Sequence, residues 1–132
     1  MNQLKIIIEK SDNYFSAYAE NAAGIYGMGK TAKEAKTEAL KGIKLLVENN
    51  DKKHIPDVLK GKYKIVYKFD TQSFLNYYKG IFTNAGIERI TGINQKQVQH
   101  YSSGSKKPRQ KQREKIEQSL HKLGEELLNL EL

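Results

Sequence analysis

Gly92 constrains this chain more than any other residue, because it lies between two short stretches that each have the pattern of a helix. Before it, Thr83 is a favourable N-cap, and Ile87 and Ile90 fall on one face of the helix that follows. Glycine tolerates the positive φ that a tight turn between two helices requires. The sequence therefore predicts a helix that ends at Gly92 and a sharp turn into a second helix.

The stretch after the turn has the pattern of an amphipathic helix with a polar outer face. Asn94 is its predicted N-cap, Val98 and Tyr101 are predicted to point to the core, and Gly104 ends it. Glutamine pairs with adenine and lysine donates to guanine in the major groove of DNA, mostly from the first turns of a helix. The residues predicted to read bases are those of the outer face: Gln95, Lys96, Gln97, Gln99 and His100.

Positive charge concentrates in the same part of the chain. The net charge is +8, and the segment from Arg89 to Lys115 contains eight cationic residues and only one acidic residue, Glu114. Lysine and arginine supply most of the affinity for DNA phosphates, and hydroxyls add hydrogen bonds that position the protein. The residues predicted to contact phosphates are Thr83, Ser102, Ser105, Lys106, Lys107 and Arg109. A plain helical hairpin with a solvated, charged surface is the alternative interpretation.

The stretch from Thr83 to Pro108 resembles the helix-turn-helix of phage-repressor-like (Xre-type) proteins. It shares their initial Thr, the Thr-Gly pair at 91–92, an Asn followed by Gln, a Tyr, a Gly, and basic residues before Pro. Glu88 stands where that family usually has a small alanine packed against the second helix. The resemblance implies sequence-specific binding to double-stranded operator DNA, and two half-sites about one helical turn apart imply a dimer.

The N-terminal half predicts a small α+β layer. Residues 4–9 and 14–19 have the pattern of a β-hairpin, 25–28 that of a third strand and 63–69 that of a fourth. Thr31 begins a capping box in which Glu34 is predicted to reach back to the Thr31 amide, and a helix follows as far as residues 49–51. We expect an antiparallel sheet with one helix over residues 1–69, and an all-α helix-turn-helix domain over residues 70–132 that starts at an N-cap at Asp70.

Three N-terminal segments resemble the first domain of HicB-family antitoxins: Tyr14–Tyr18, Gly24–Gly29 and Thr31–Ala35. The resemblance implies a partial ribonuclease H-like fold. It also implies an antitoxin that binds a small, HicA-like, messenger-RNA-cleaving toxin and represses the shared operon. Tyr14, Tyr18 and Tyr26 are the candidate partner-binding residues, although aromatic residues on strands belong more often to the core.

The composition argues against several other functions. The chain has no cysteine, and its three histidines (His54, His100, His121) lack the spacing of metal ligands. Ribonuclease H chemistry needs clustered carboxylates, whereas the aspartates fall in predicted loops or at element ends. We therefore expect no enzymatic activity, no metal and no cofactor. The absence of a long apolar stretch or a leader-like N-terminus predicts a cytoplasmic protein that does not enter membranes.

The last predicted helix, over about 110–130, carries apolar residues at alternating spacings of four and three: Ile116, Leu120, Leu123, Leu127 and Leu130. This stripe either closes the core of the helical domain or forms the interface of a homodimer or higher even oligomer.

Two other functions stay open for the whole chain. One is a regulator whose α+β layer only oligomerises or senses a ligand, and the other is a single-strand nucleic-acid binder with sheet aromatics as stacking platforms.

Overall fold

The computed structural model describes residues 1–132 and divides into two compact units, Met1–Tyr77 and Tyr78–Leu132. The four strands are β1 (Asn2–Lys10), β2 (Phe15–Ala19), β3 (Tyr26–Gly29) and β4 (Tyr63–Phe69). The five α-helices are α1 (Ala32–Asn49), α2 (Thr71–Tyr78), α3 (Asn84–Thr91), α4 (Gln95–Ser103) and α5 (Gln110–Leu128). Two short 3₁₀ turns, Lys52–His54 and Asp57–Leu59, lie between α1 and β4.

The sheet is mixed, so the predicted antiparallel sheet is wrong. Its strand order is β3-β2-β1-β4; β1 pairs antiparallel with β2, whereas β4 pairs parallel with β1 in the register that places Leu4 opposite Ile65. Hairpins join antiparallel neighbours, but a parallel pair needs a crossover, which α1 provides here. The alternating pattern of β4 fits either orientation, because the side-chain period is two in both.

The core of the first unit lies between the sheet and α1. Leu4, Ile6 and Ile8 of β1 are fully buried, and the small side chains of Ala35 and Ala39 let α1 approach closely. Gly27 lies at this contact, where an added Cβ would meet the backbone of both alanines. The hairpin, the third strand and the helix that follows them were thus predicted correctly.

The start of α1 differs from the predicted capping box in one bond. The Thr31 hydroxyl accepts from Glu34 N at 3.1 Å, as expected, and Thr31 has the extended backbone of an N-cap. The Glu34 carboxylate, however, accepts from Lys30 N at 2.8 Å instead of from the Thr31 amide. The predicted N-cap is confirmed, but the backbone amide that Glu34 binds is that of the residue before the N-cap.

Helix α2 belongs to the unit that holds the sheet. Asp70 caps it, since Oδ1 accepts from Ser73 N at 2.7 Å, while Oδ2 accepts from Lys10 N at the end of β1 at 2.8 Å. Asn76 Oδ1 accepts from Ala32 N at the start of α1 at 3.0 Å. The predicted fold class is therefore wrong in its second part as well: the chain is α+β, and no separate all-α helix-turn-helix domain begins at residue 70.

The second unit is built from α3, α4 and α5 around a small core. Its most buried apolar side chains are Ile87, Ile93, Val98, Tyr101 and Ile116. Within α5 only Ile116 is buried, whereas Leu127 and Leu128 are more than half exposed. The helix ends at Leu128, two residues before its predicted end, and Leu130, which is also more than half exposed, lies beyond it. Of the five helices, none combines the length and the apolar character needed to cross a membrane.

Candidate nucleic-acid interface

The α3–turn–α4 segment has the local geometry that its caps and glycines predict. The Thr83 hydroxyl accepts from Gly86 N at 2.9 Å, and Asn94 Oδ1 accepts from Lys96 N at 2.8 Å, so both helices carry the predicted N-caps. Gly92 and Gly104 adopt φ of +78° and +82° at the two helix ends. A side chain at either position would be strained, because L-residues rarely adopt this left-handed conformation.

Thr91, noted in the sequence only as half of the Thr-Gly pair at 91–92, fixes the turn. The Thr91 hydroxyl, which is buried, donates to Ile87 O at 2.6 Å and accepts from Ile93 N at 3.1 Å. Ile93 itself is 4% exposed and fills the corner between the helices. This arrangement ties the end of α3 to the turn, so that the direction in which α4 leaves is set by buried contacts.

Four of the five predicted base-reading side chains share one exposed face of α4. Gln95 and Gln99 are four residues apart, as are Lys96 and His100, and all four are exposed. Residues at this spacing are neighbours on a helix surface. Gln99 is also positioned, because its Oε1 accepts from Asn84 Nδ2 at the start of α3 at 2.7 Å.

Gln97, the fifth predicted base reader, points elsewhere. It is partly buried, and its Nε2 donates to the Tyr101 hydroxyl at 3.0 Å. It lines an open cleft of about 600 Å³ whose walls carry three cations and no acid: Gln97, Tyr101, Lys106, Lys107, Arg109 and Gln112. The structure therefore groups Gln97 with the candidate phosphate contacts, which the sequence did not indicate.

The predicted phosphate contacts divide into two groups. Lys106, Lys107 and Arg109 meet in the cleft, and the Arg113 guanidinium donates to Pro108 O at 2.8 Å, which holds the loop that carries them. The hydroxyls lie outside the cleft. Thr83 Oγ1 caps α3 and Ser105 Oγ lies 3.1 Å from His100 Nδ1, while Ser102 is a partly buried residue of α4.

Glu88 has a role that the sequence analysis missed. Its Oε2 accepts from Gln95 N at 2.8 Å, so a side chain of α3 caps the first turn of α4. Carboxylates stabilise helix N-termini because the free amides there carry partial positive charge. The only sequence signal was the departure from a small residue at this position.

The three candidate partner-binding tyrosines lie together in the first unit, on the sheet face opposite α1. Tyr18 pairs with Tyr26 across β2 and β3, and Tyr26 is 53% exposed, so these tyrosines are not core residues. A hydrogen bond to the Glu9 carboxylate, with partial desolvation, raises the pKa of the Tyr18 hydroxyl. Partial desolvation, followed by the proximity of Tyr14, raises the pKa of Tyr26. Tyr18 and Tyr26 thus both present protonated hydroxyls near neutral pH.

Comparisons of the chain with known protein families, curated proteins and solved structures find no match. The resemblances to Xre-type and HicB-type proteins therefore rest on the residues quoted for them.

Proposed function

We propose that this protein is a sequence-specific, duplex-DNA-binding regulator. The observation that carries the proposal is the arrangement of α4: four exposed polar side chains on one face, beside a cleft with three cations and no acid. A helix of this kind fits the major groove, where glutamine and lysine discriminate base edges. The cations bind phosphates whatever the sequence.

In this function the residues of the α4 face and the cations of the cleft have different roles. Gln95, Lys96 and Gln99 meet base edges and supply specificity, and Gln99 does so in an orientation that Asn84 fixes. Lys106, Lys107 and Arg109 bind the neighbouring phosphates and supply affinity and register. A single copy contacts little DNA, so we expect a homodimer or higher even oligomer that reads a palindrome.

Selection from a random duplex library tests the proposal. The wild-type protein should enrich one sequence, and Gln95→Ala should lose about tenfold or more affinity for it while binding a scrambled duplex as before. Lys107→Ala is the matched control and should weaken both duplexes alike. Single strands that compete better than the enriched duplex would contradict the proposal and favour a single-strand binder.

We propose further that the regulator is a cytoplasmic antitoxin of the HicB type. Two observations support this finer function: the resemblance of the segments between Tyr14 and Ala35, and the position of Tyr14, Tyr18 and Tyr26 on one open sheet face. Exposed aromatic side chains with polar tips are frequent anchors of protein interfaces. The partner would be a small toxin that cleaves messenger RNA.

Co-expression of the full chain with its neighbouring open reading frame tests the antitoxin function. A small basic protein should co-purify, and its toxicity should return when Tyr18 and Tyr26 are both replaced by Ala. Lys96→Ala, in the second unit, is the control and should keep the complex. Failure to bind or neutralise the neighbour's product would leave the α+β unit as an oligomerisation or ligand-sensing module, which is the alternative.

A further inference from the structure

The N-terminus of α4 is closed to anions by groups of the protein itself. Gln95 N donates to the Glu88 carboxylate at 2.8 Å, Lys96 N to Asn94 Oδ1 at 2.8 Å, and Gln97 N to the Asn94 carbonyl oxygen at 2.9 Å. A helix N-terminus with free amides attracts phosphate. Here the first three amides of α4 are already paired, and one of the acceptors carries a full negative charge.

The charge of Glu88 is not neutralised within the protein. Its Oε2 takes the Gln95 amide, whereas Oε1 has no hydrogen bond, and no lysine or arginine forms an ion pair with the carboxylate. The surrounding segment carries eight cations and only one further acid, Glu114. A lone carboxylate at the end of the exposed α4 face is therefore the exception in an otherwise basic surface.

We propose that Glu88 is a specificity-determining residue for the DNA-binding function proposed above. Binding to random duplex depends on phosphate contacts, which a carboxylate at the tip of α4 opposes. On the cognate duplex the same tip faces base edges, where the amino groups of cytosine and adenine are donors to an acceptor oxygen. Glu88 therefore weakens non-cognate binding more than cognate binding.

The test uses Glu88→Gln in the full chain, because glutamine keeps an acceptor oxygen for the Gln95 amide and removes only the charge. The probes are the duplex that the wild-type protein enriches from a random library and a scrambled duplex of the same composition. We expect Glu88→Gln to bind the scrambled duplex about three to ten times more tightly and the enriched duplex within about twofold of wild type. The ratio of the two affinities should fall accordingly.

Glu114→Gln is the matched control, since it removes the same charge from an exposed residue of α5 whose Oε1 accepts from Gln110 Nε2 at 3.1 Å. It should change both affinities alike. Glu88→Asp, which keeps the charge, should keep the wild-type ratio. If Glu88→Gln tightens both duplexes equally, or neither, Glu88 contributes only to net charge or capping and the proposal is overturned.

Thermal unfolding of each variant accompanies the binding measurements. If Glu88→Gln loses its cooperative transition, Glu88→Ala replaces it, because the Asn94 cap remains and alanine favours a helix. If the wild-type protein enriches no duplex, the DNA-binding proposal fails and this one fails with it. If the wild-type protein does enrich a duplex but Glu88→Gln leaves the ratio of the two affinities unchanged, only the proposed role of Glu88 is overturned.

Discussion

The side-chain amide of Asn84 donates to the side-chain oxygen of Gln99 at 2.7 Å, and this bond joins the start of α3 to the outer face of α4. It uses the oxygen of Gln99, an exposed residue, and leaves the Nε2 group without a hydrogen bond inside the protein. The bond therefore orders a side chain that would otherwise lose rotamer freedom in the DNA binding proposed above. Loss of this hydrogen bond should therefore lower the affinity for the enriched duplex more than it lowers the free energy of unfolding.

Asn84→Ala should accordingly weaken binding to the enriched duplex by about twofold to tenfold, the value of one neutral hydrogen bond. Binding to a scrambled duplex should stay the same, because Asn84 carries no charge. Fluorescence anisotropy titrations with both duplexes measure this. The double variant with Gln99→Ala serves as control: the Asn84 effect should disappear in it, and a persistent effect would show that Asn84 contacts DNA independently.

Arg109→Ala should weaken binding to every duplex and reduce the slope of log affinity against log salt by about 1, since one phosphate contact is lost from the basic cleft. Lys122→Ala removes a cation from the exposed surface of α5 outside the cleft and should change the slope little. Salt titrations of the two variants make the comparison. Equal slopes for Arg109→Ala and wild type would show that DNA phosphates do not bind at Arg109 in the cleft.

Gly27→Ala should destabilise the first unit by about 1 to 3 kcal/mol, because its Cβ would overlap the α1 backbone at Ala35 and Ala39. Gly42→Ala is a matched control within α1, where the nearest atom to an added Cβ is Tyr26 O at 3.8 Å. That change should be neutral or stabilise by up to about 1 kcal/mol. Urea unfolding of both variants measures the difference, and equal stabilities would contradict the close packing of β3 on α1.

Replacing Leu127 and Leu130 together with Ser should shift the proposed dimer to monomer, because these two leucines, at the end of α5 and just beyond it, are 58% and 57% exposed. The stability of the folded chain should change little, since neither side chain is buried. Sedimentation at several concentrations gives the oligomeric state. Val47→Ser, which changes an exposed apolar residue near the end of α1, is the control. A dimer that survives the double change would show that this end of the chain does not form the dimer interface.

The local elements of this protein were predictable because their chemistry is local. Thr83, Asn94 and Asp70 each cap the helix that follows them, and Gly92 makes the predicted turn, because the relevant bonds join residues two to three apart or depend on one φ angle. The bounds of β4 agree with the predicted 63–69 for a similar reason. Periodicity alone defines them.

The parts that were not predicted depend on distant partners. Gln97 lies in the basic cleft since the Tyr101 hydroxyl accepts its amide, and no spacing rule distinguishes this orientation from an outward one. Glu88 caps α4 across the turn, seven residues ahead of the amide it binds. The direction of β4 relative to β1 depends on the path of the chain through α1, which the pattern of neither strand encodes.

The position of β1 between β2 and β4 has a consequence for synthesis on the ribosome. One side of β1 can pair as soon as the hairpin has emerged, whereas the other side must wait for Tyr63–Phe69, more than fifty residues later. Until then the nascent chain presents an unpaired strand edge that includes Leu4 and residues 6–8, all apolar, and such an edge is a template for aggregation and for proteases. Chains interrupted before β4 should therefore be cleared, and only those that have passed this strand can accumulate.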